Sequence, residues 1–132
     1  MITTATLTDQ DKATLRTAAY GAVSLLAAAG APHKTVSQGT IALSSATGLV
    51  GHVLSAKSRD IRLPGKTVAE LADHVLPALT AAMSCLSTDP GEAANFRDTV
   101  LVAIQSATHP AKGVPAPAVT AMAAKIAAAL AA

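Results

Sequence analysis

The stretch SSATGLVGHVLS, residues 44–55, places Gly48 and Gly51 inside a run that otherwise has helical character. Each glycine in a helix interior costs about 1 kcal/mol relative to alanine. A helix accepts that cost where a neighbouring backbone approaches closely. Ser44, Gly48, Gly51 and Ser55 recur at helical spacing. We therefore expect these four residues to form a packing face on one helix, against a helix of this chain or of a second copy.

This helix is predicted to begin near Thr35–Ser37 and to end at about Lys57. Its other side carries large aliphatic residues, so little of its surface is left for water, and we expect it to be the buried central helix. The alternative interpretation is a glycine-lined ligand groove. Phosphate-binding glycines, however, lie in turns that open a helix, whereas these lie within one. Packing is the favoured interpretation.

Composition predicts an all-α, compact, single-domain bundle of about five helices. The 132 residues are 51% hydrophobic but only 2% aromatic, and alanine makes up much of the hydrophobic fraction. Alanine is the best helix former, and 132 residues are enough for one domain. The net charge of +2 is too weak to indicate a nucleic-acid partner. A single cysteine and a start without a signal-peptide pattern lead us to expect a cytoplasmic protein. Polar residues in the apolar runs make a membrane-spanning hairpin the less favoured alternative.

The other four helices are predicted from their ends and apolar stripes. Thr8 caps the first, and Thr67 with Glu70 forms a capping box at the third. Asp89 and Glu92 form another box at the fourth, and the fifth carries an apolar stripe over residues 119–130. We expect a flexible N-terminus over residues 1–7 and a proline-rich linker over 111–117. Because the loops are short, successive helices should pack antiparallel.

No catalytic motif is present, and we expect neither an enzyme nor a cofactor. Glu70 and His74 are four residues apart on one helix face, with Asp73 adjacent, which makes them weak candidates for a metal site or an acid–base pair. No third ligand is identifiable, so an ordinary surface pair is favoured. Cys85 lies too far along the same helix from His74 to pair with it, and we interpret it as a core residue.

Two further candidates concern binding. His52 lies on the predicted central helix, where a buried or half-buried histidine is expected, and Pro77 predicts a kink in the third helix. A cavity beside these two residues is our candidate ligand pocket. The basic loop is the main concentration of charge and is the candidate site for an anion or an acidic partner. It contains Lys57, Arg59, Arg62 and Lys66.

Residues 22–37 and 100–115 form a weak internal repeat with a shared Pro-x-Lys-x-Val pattern, in the loops APHKTVS and HPAKGVP. Each copy reads as an apolar helix, a short loop and a valine leading into the next helix. In this respect the chain resembles the TerB-like helical proteins associated with tellurite resistance. That resemblance implies a helix–loop–helix repeat. The family's loops carry carboxylates for a divalent cation, and these loops have none, which implies that hard-cation binding is lost.

From the sequence we expect a non-catalytic interaction or scaffold module that self-associates as a homo-oligomer. High apolar content, few charges and small-residue faces suited to helix contacts support this expectation. The alternatives are a small-molecule or anion binder, an enzyme using Glu70, Asp73 and His74, and a membrane-associated helical protein.

Overall fold

A computed structural model describes residues 7–55, 67–108 and 114–131. Within these ranges the protein is all-helical and contains no strand, as predicted. Residues 1–6, residues 56–66 with the whole predicted basic loop, residues 109–113 and residue 132 lie outside the described parts. The helices are α1 (Asp9–Ala28), α2 (His33–Ser44), α3 (Gly48–Ser55), α4 (Val68–Cys85), α5 (Pro90–Thr108) and α6 (Pro117–Ala131).

The most enclosed helix is α1, and the prediction of a central second helix is not confirmed. From Leu15 to Leu26 nearly every residue of α1 is buried, including polar positions. Four of these twelve residues are alanine or glycine, and their small size lets neighbouring helices approach closely. At its start, Thr8 accepts from the Asp11 amide and the Asp11 carboxylate accepts from the Thr8 amide, which completes a capping box.

The predicted helix over 35–57 is two helices, and this is the main correction to the sequence analysis. The chain leaves α2 after Ser44, whose hydroxyl donates to the carbonyls of Thr40 and Ile41. It begins α3 at Gly48, which has the left-handed φ of +72°. Glycine adopts this conformation at low cost, so Gly48 allows the chain to turn between helices.

The predicted four-residue face therefore does not exist as one surface. Ser44, Gly48 and Ser55 are exposed and only Gly51 is buried. A side chain at Gly51 would collide with the carbonyl of Ala46 in the preceding turn. Gly51 thus lies against the preceding turn, whereas Gly48 lies against α5, where a Cβ would come within 3.1 Å of Glu92 Oε2 and 3.3 Å of Asn95 Nδ2.

A close approach between helices occurs instead at Gly39, which sequence reasoning did not single out. A Cβ atom there would lie 2.8 Å from the Ala103 carbonyl oxygen and 3.0 Å from the Ala107 Cβ, both on α5. It would also lie 3.4 Å from a methyl group of Val23 on α1. Gly39 thus brings α2 against α5 at a distance that no other residue permits.

The most extensive packing joins α1 to α4 and α2 to α5, which are not successive in the chain. We expected successive helices to pack antiparallel; α4 and α5, although successive, touch little. The internal repeat also diverges, because Val36 lies inside α2 whereas Val114 precedes α6. Leu7 belongs to the N-terminal segment that we expected to be flexible, but its side chain is buried. Pro117 of the predicted linker begins α6.

Helix α3 has only eight residues, and a side chain from another helix caps its N-terminus. Glu92 of α5 accepts a hydrogen bond from the Val50 amide at 3.1 Å. Asn95, one turn later, donates to the Thr47 carbonyl at 2.9 Å. A carboxylate at this position also opposes the positive end of the helix dipole. The predicted Asp89 cap of α5 is present, since its carboxylate accepts from the Glu92 amide, while the Glu92 side chain is directed to α3.

The C-terminus of α3 is held by two donors from α1. The Arg16 guanidinium donates to the Val53 carbonyl at 3.3 Å, and the Tyr20 hydroxyl donates to the Leu54 carbonyl at 2.8 Å. Arg16 is only 7% exposed, and its positive charge lies at the negative end of α3. So short a helix is marginal by itself, and contacts from α5 and α1 fix it at both ends.

We expect the substitution Gly39→Ala to lower the free energy of unfolding by about 1 kcal/mol or more. The added methyl group displaces the backbone of α5, and the higher helix propensity of alanine offsets only part of that strain. Urea denaturation followed by circular dichroism measures the change. Gly91→Ala is the control, because a Cβ there meets only a carboxylate oxygen at 3.4 Å. Equal stability of the two variants would contradict the close approach.

The substitution Glu92→Ala is expected to cost about 1–2 kcal/mol, as removal of an N-terminal cap does. Glu92→Gln retains an acceptor oxygen for the Val50 amide and should lose the smaller part of this stability. Thermal unfolding of both variants measures the difference. Asp98→Ala serves as control, since the Asp98 side chain is 68% exposed in a surface ion pair with Arg97. A loss at Glu92 no larger than at Asp98 would contradict the capping role.

Candidate functional site

The candidate residues from the sequence do not meet at one site. His52 is exposed on α3, contrary to the expected burial, and it lines neither of the two grooves described below. Pro77 does line a groove, but without His52. The predicted pocket beside both residues is therefore wrong. The candidate anion-binding residues Lys57, Arg59, Arg62 and Lys66 lie outside the described residues.

The two candidate metal ligands from the sequence, Glu70 and His74, are both exposed on α4. Among the described residues, no group of three or more histidine, cysteine, aspartate or glutamate side chains is arranged to hold a metal ion. Two ligands on one exposed helix face do not make a closed coordination site.

The α1–α4 groove is a depression of about 510 Å³ between the two helices. Four residues of each helix line it, and none of the eight is Asp, Glu, Lys or Arg. Its volume lies within the range of small-molecule sites. The lining consists of Gln10, Ala13, Thr14 and Thr17 on α1 and His74, Pro77, Ala78 and Ala81 on α4.

Thr17 is the most buried polar residue of this groove, with 8% of its surface exposed. Among the described residues, every side-chain oxygen or nitrogen that is itself buried has a hydrogen-bond partner. The polar side chains of the groove therefore do not by themselves indicate a bound group.

The α5–α6 groove is a second depression, of about 630 Å³, and it opens beside the outer surface of α6. Its lining combines apolar side chains with a few uncharged polar groups. Leu101 and Ile104 form its α5 wall, and Ala123, Ala124 and Ala127 form its α6 wall. Pro115, before α6, closes one end.

The outer face of α6 is almost devoid of charge. The stripe Val119, Met122, Ile126 and Leu130 is buried, as the sequence predicted. The opposite side has only Lys125 as a charged residue, and the rest is mainly alanine. Val114, next to the α5–α6 groove, is 86% exposed. A water-facing helix normally presents polar side chains on its free side, so this face is atypical. Its exposed residues are Pro117, Ala118, Thr120, Ala121, Ala124, Lys125, Ala127, Ala128 and Ala131.

Cys85 is half-buried at the end of α4, with its thiol directed to the start of α1. Its Sγ donates to Asp11 Oδ1 at 3.5 Å. Burial, together with the negative charge of Asp11, raises the pKa of the Cys85 thiol to about 11. The Thr8 amide, which donates to the other oxygen, lowers the pKa of the Asp11 carboxyl. The thiolate is the nucleophilic form, so the raised pKa makes Cys85 a poor nucleophile at neutral pH. The sequence predicted a core residue, but Cys85 is half-buried and is not among the buried core residues.

Sequence reasoning missed both grooves for identifiable reasons. The α1–α4 groove depends on the packing of two helices that are not successive in the chain, which no local pattern shows. The α5–α6 groove depends on the distance between two helices. By contrast, the sparse charge of residues 117–131 was available in the sequence and indicates an unusual outer face.

Comparison of the chain with protein-family models, curated proteins and solved structures gives no match. The TerB-like resemblance therefore stays a prediction. In the parts of the chain that the structure covers, no helix combines the length and apolarity needed to cross a bilayer.

Alkylation of Cys85 is expected to be slow at neutral pH and to accelerate until the pH approaches about 11. Asp11→Asn removes the adjacent negative charge, which lowers the thiol pKa and speeds the reaction at pH 8 or so. Iodoacetamide labelling followed by mass spectrometry measures the rate. Asp9→Asn is the control, because Asp9 is also in the first turn of α1 but is not the thiol's acceptor. Equal acceleration by both variants would contradict the direct contact.

Proposed function

We propose that this chain is a non-catalytic helical interaction module of the cytoplasm that self-associates through the outer face of α6. The single observation that supports this most strongly is the lack of charge on that face, where Lys125 is the only ionised side chain among the exposed residues of α6. Apolar surface of this kind is stabilised when a partner removes it from water. Small side chains also permit close contact between helices, which increases dispersion attraction.

A second copy of the chain is the partner that these features favour. Val114 protrudes, with 86% of its surface exposed, and Pro115 next to it lines the α5–α6 groove. One copy thus carries both a protruding apolar side chain and an adjacent recess. In a dimer with two-fold symmetry, Val114 of each copy would contact the α5–α6 groove of the other copy. The face offers no carboxylate and a single cation, so charge complementarity does not select another kind of partner.

The test is the oligomeric state of the full chain. Sedimentation equilibrium across a wide range of protein concentration should give a reversible dimer for the unmodified protein. Ala124→Arg, at an exposed position on the α5–α6 groove, should give a monomer because it places a charge in the contact. Ala27→Arg is the matched control, an exposed alanine near the end of α1 that should leave the dimer intact.

Circular dichroism of each variant confirms that the fold is retained, so loss of the dimer is not confused with unfolding. A monomeric unmodified protein at every concentration would overturn the proposal. So would dimers that persist equally in both arginine variants. Flotation with vesicles of neutral lipid tests the alternative of a membrane-associated protein. A monomer that binds the vesicles through α6 and floats with them would favour that alternative.

A further inference from the structure

Residues 45–47, between α2 and α3, link two halves of the fold whose most extensive contacts are with each other. The first half consists of α1 and α2, and the second half consists of α3 to α6. The two largest helix–helix contacts, α1 with α4 and α2 with α5, both join one half to the other. A second copy of the chain presents the same surfaces. Its second half can therefore complete the first half of this copy through the same contacts.

Residues 33–55 can also form one continuous helix. The segment contains no proline and has helical character on both sides of the turn. In a continuous helix the Val50 amide would donate to the Ala46 carbonyl four residues earlier, and it would not need the Glu92 carboxylate. Contacts from outside the segment, made by Glu92 and Asn95 of α5, thus favour the turn over the straight helix.

The two glycines of this segment fit the turn, and a straight helix needs neither. Gly48 has a φ of +72°, whereas φ is negative throughout an α-helix. A Cβ at Gly51 would collide with the Ala46 carbonyl, which in a straight helix would instead point to the Val50 amide. Alanine at either position is therefore unfavourable in the turn and favourable in the straight helix.

We propose that residues 45–47 are a hinge through which two copies of the chain exchange their first halves, with α2 and α3 joined into one helix in the exchanged dimer. Glu92 and Asn95 stabilise the closed monomer, and loss of their contacts favours exchange. A short, constrained connection between two extensively packed parts is the kind of hinge at which such exchange occurs. This dimer is separate from the one proposed at α6, because it re-forms the interior contacts of the fold and does not use the outer face of α6.

The contact between Cys85 and Asp11 distinguishes the closed monomer from the exchanged dimer. Cys85 Sγ lies 3.5 Å from Asp11 Oδ1, so this contact joins α4 of the second half to α1 of the first half. Asp11→Cys places a second thiol at the contact, and oxidation can then form a disulfide. The disulfide lies within one chain in the closed monomer and between two chains in the exchanged dimer. Denaturing gel electrophoresis without reductant separates the two products.

The experiment compares hinge variants of the full chain, all carrying Asp11→Cys together with Ala124→Arg, which places a charge on the outer face of α6. Each protein is unfolded, refolded at high concentration and oxidised. With the native hinge, the disulfide should form mainly within one chain. Gly48→Ala and Gly51→Ala should each raise the interchain fraction by about fivefold or more, as the helix propensity of one alanine predicts. Glu92→Ala should also raise it, without adding an atom to the hinge.

Gly39→Ala is the matched control, because it also replaces a helical glycine but lies outside the hinge. Its close approach to α5 is the same in both forms, so it should leave the interchain fraction unchanged. A chain with native Asp11 should give no covalent dimer, which excludes a disulfide between two Cys85 thiols. Circular dichroism measures whether each variant is folded.

The proposal would be overturned if both hinge-glycine variants fold with the disulfide only within one chain, or if neither of them folds. An equal rise of the interchain fraction with Gly39→Ala would also overturn it. These outcomes are separate from those that test association through α6. Contact between outer faces of α6 leaves each α1 packed on the α4 of its own chain, and the disulfide then stays within one chain.

Discussion

A positive charge inside the bundle constrains the arrangement of several helices. Arg16 lies on the most enclosed helix and must find electron-rich partners in the interior, since a buried cation without them is strongly unfavourable. It reaches one at the carbonyl end of α3. That contact fixes α3 beside α1, and Glu92 then fixes the opposite end of α3 to α5. The connection between α2 and α3 must turn sharply to reach this position, which is why a glycine with positive φ opens α3.

The sequence predicts the elements of this fold well where the signals are local. The Thr8 and Thr67 caps, the Asp89 cap and the buried stripe of α6 are all present, because each depends on residues within one or two turns. The failure at residues 44–55 has a physical cause. Serine and glycine at helical spacing are compatible with a packing face and also with a helix end, and the difference is decided by contacts from Glu92 and Asn95, far along the chain.

The candidate sites were less predictable than the fold. Interhelical grooves depend on which helices pack together, and the extensive α1–α4 contact joins segments separated by two other helices. The single pocket expected beside His52 and Pro77 does not form, because Pro77 lines the α1–α4 groove whereas His52 is exposed on α3 and lies outside it. The outer face of α6 is the exception, because its composition alone identifies it.

The hydrogen bond between Tyr20 and the Leu54 carbonyl gives the protein a spectroscopic reporter of its own architecture. The chain contains one tyrosine and no tryptophan, so its intrinsic ultraviolet emission arises from a single position on α1. That position senses whether α3 is seated, because the phenol hydroxyl joins the two helices. Detachment of α3 exposes the phenol to water, and burial no longer raises the pKa of Tyr20. Local opening of this one helix is therefore observable without any label, separately from the global unfolding of the bundle.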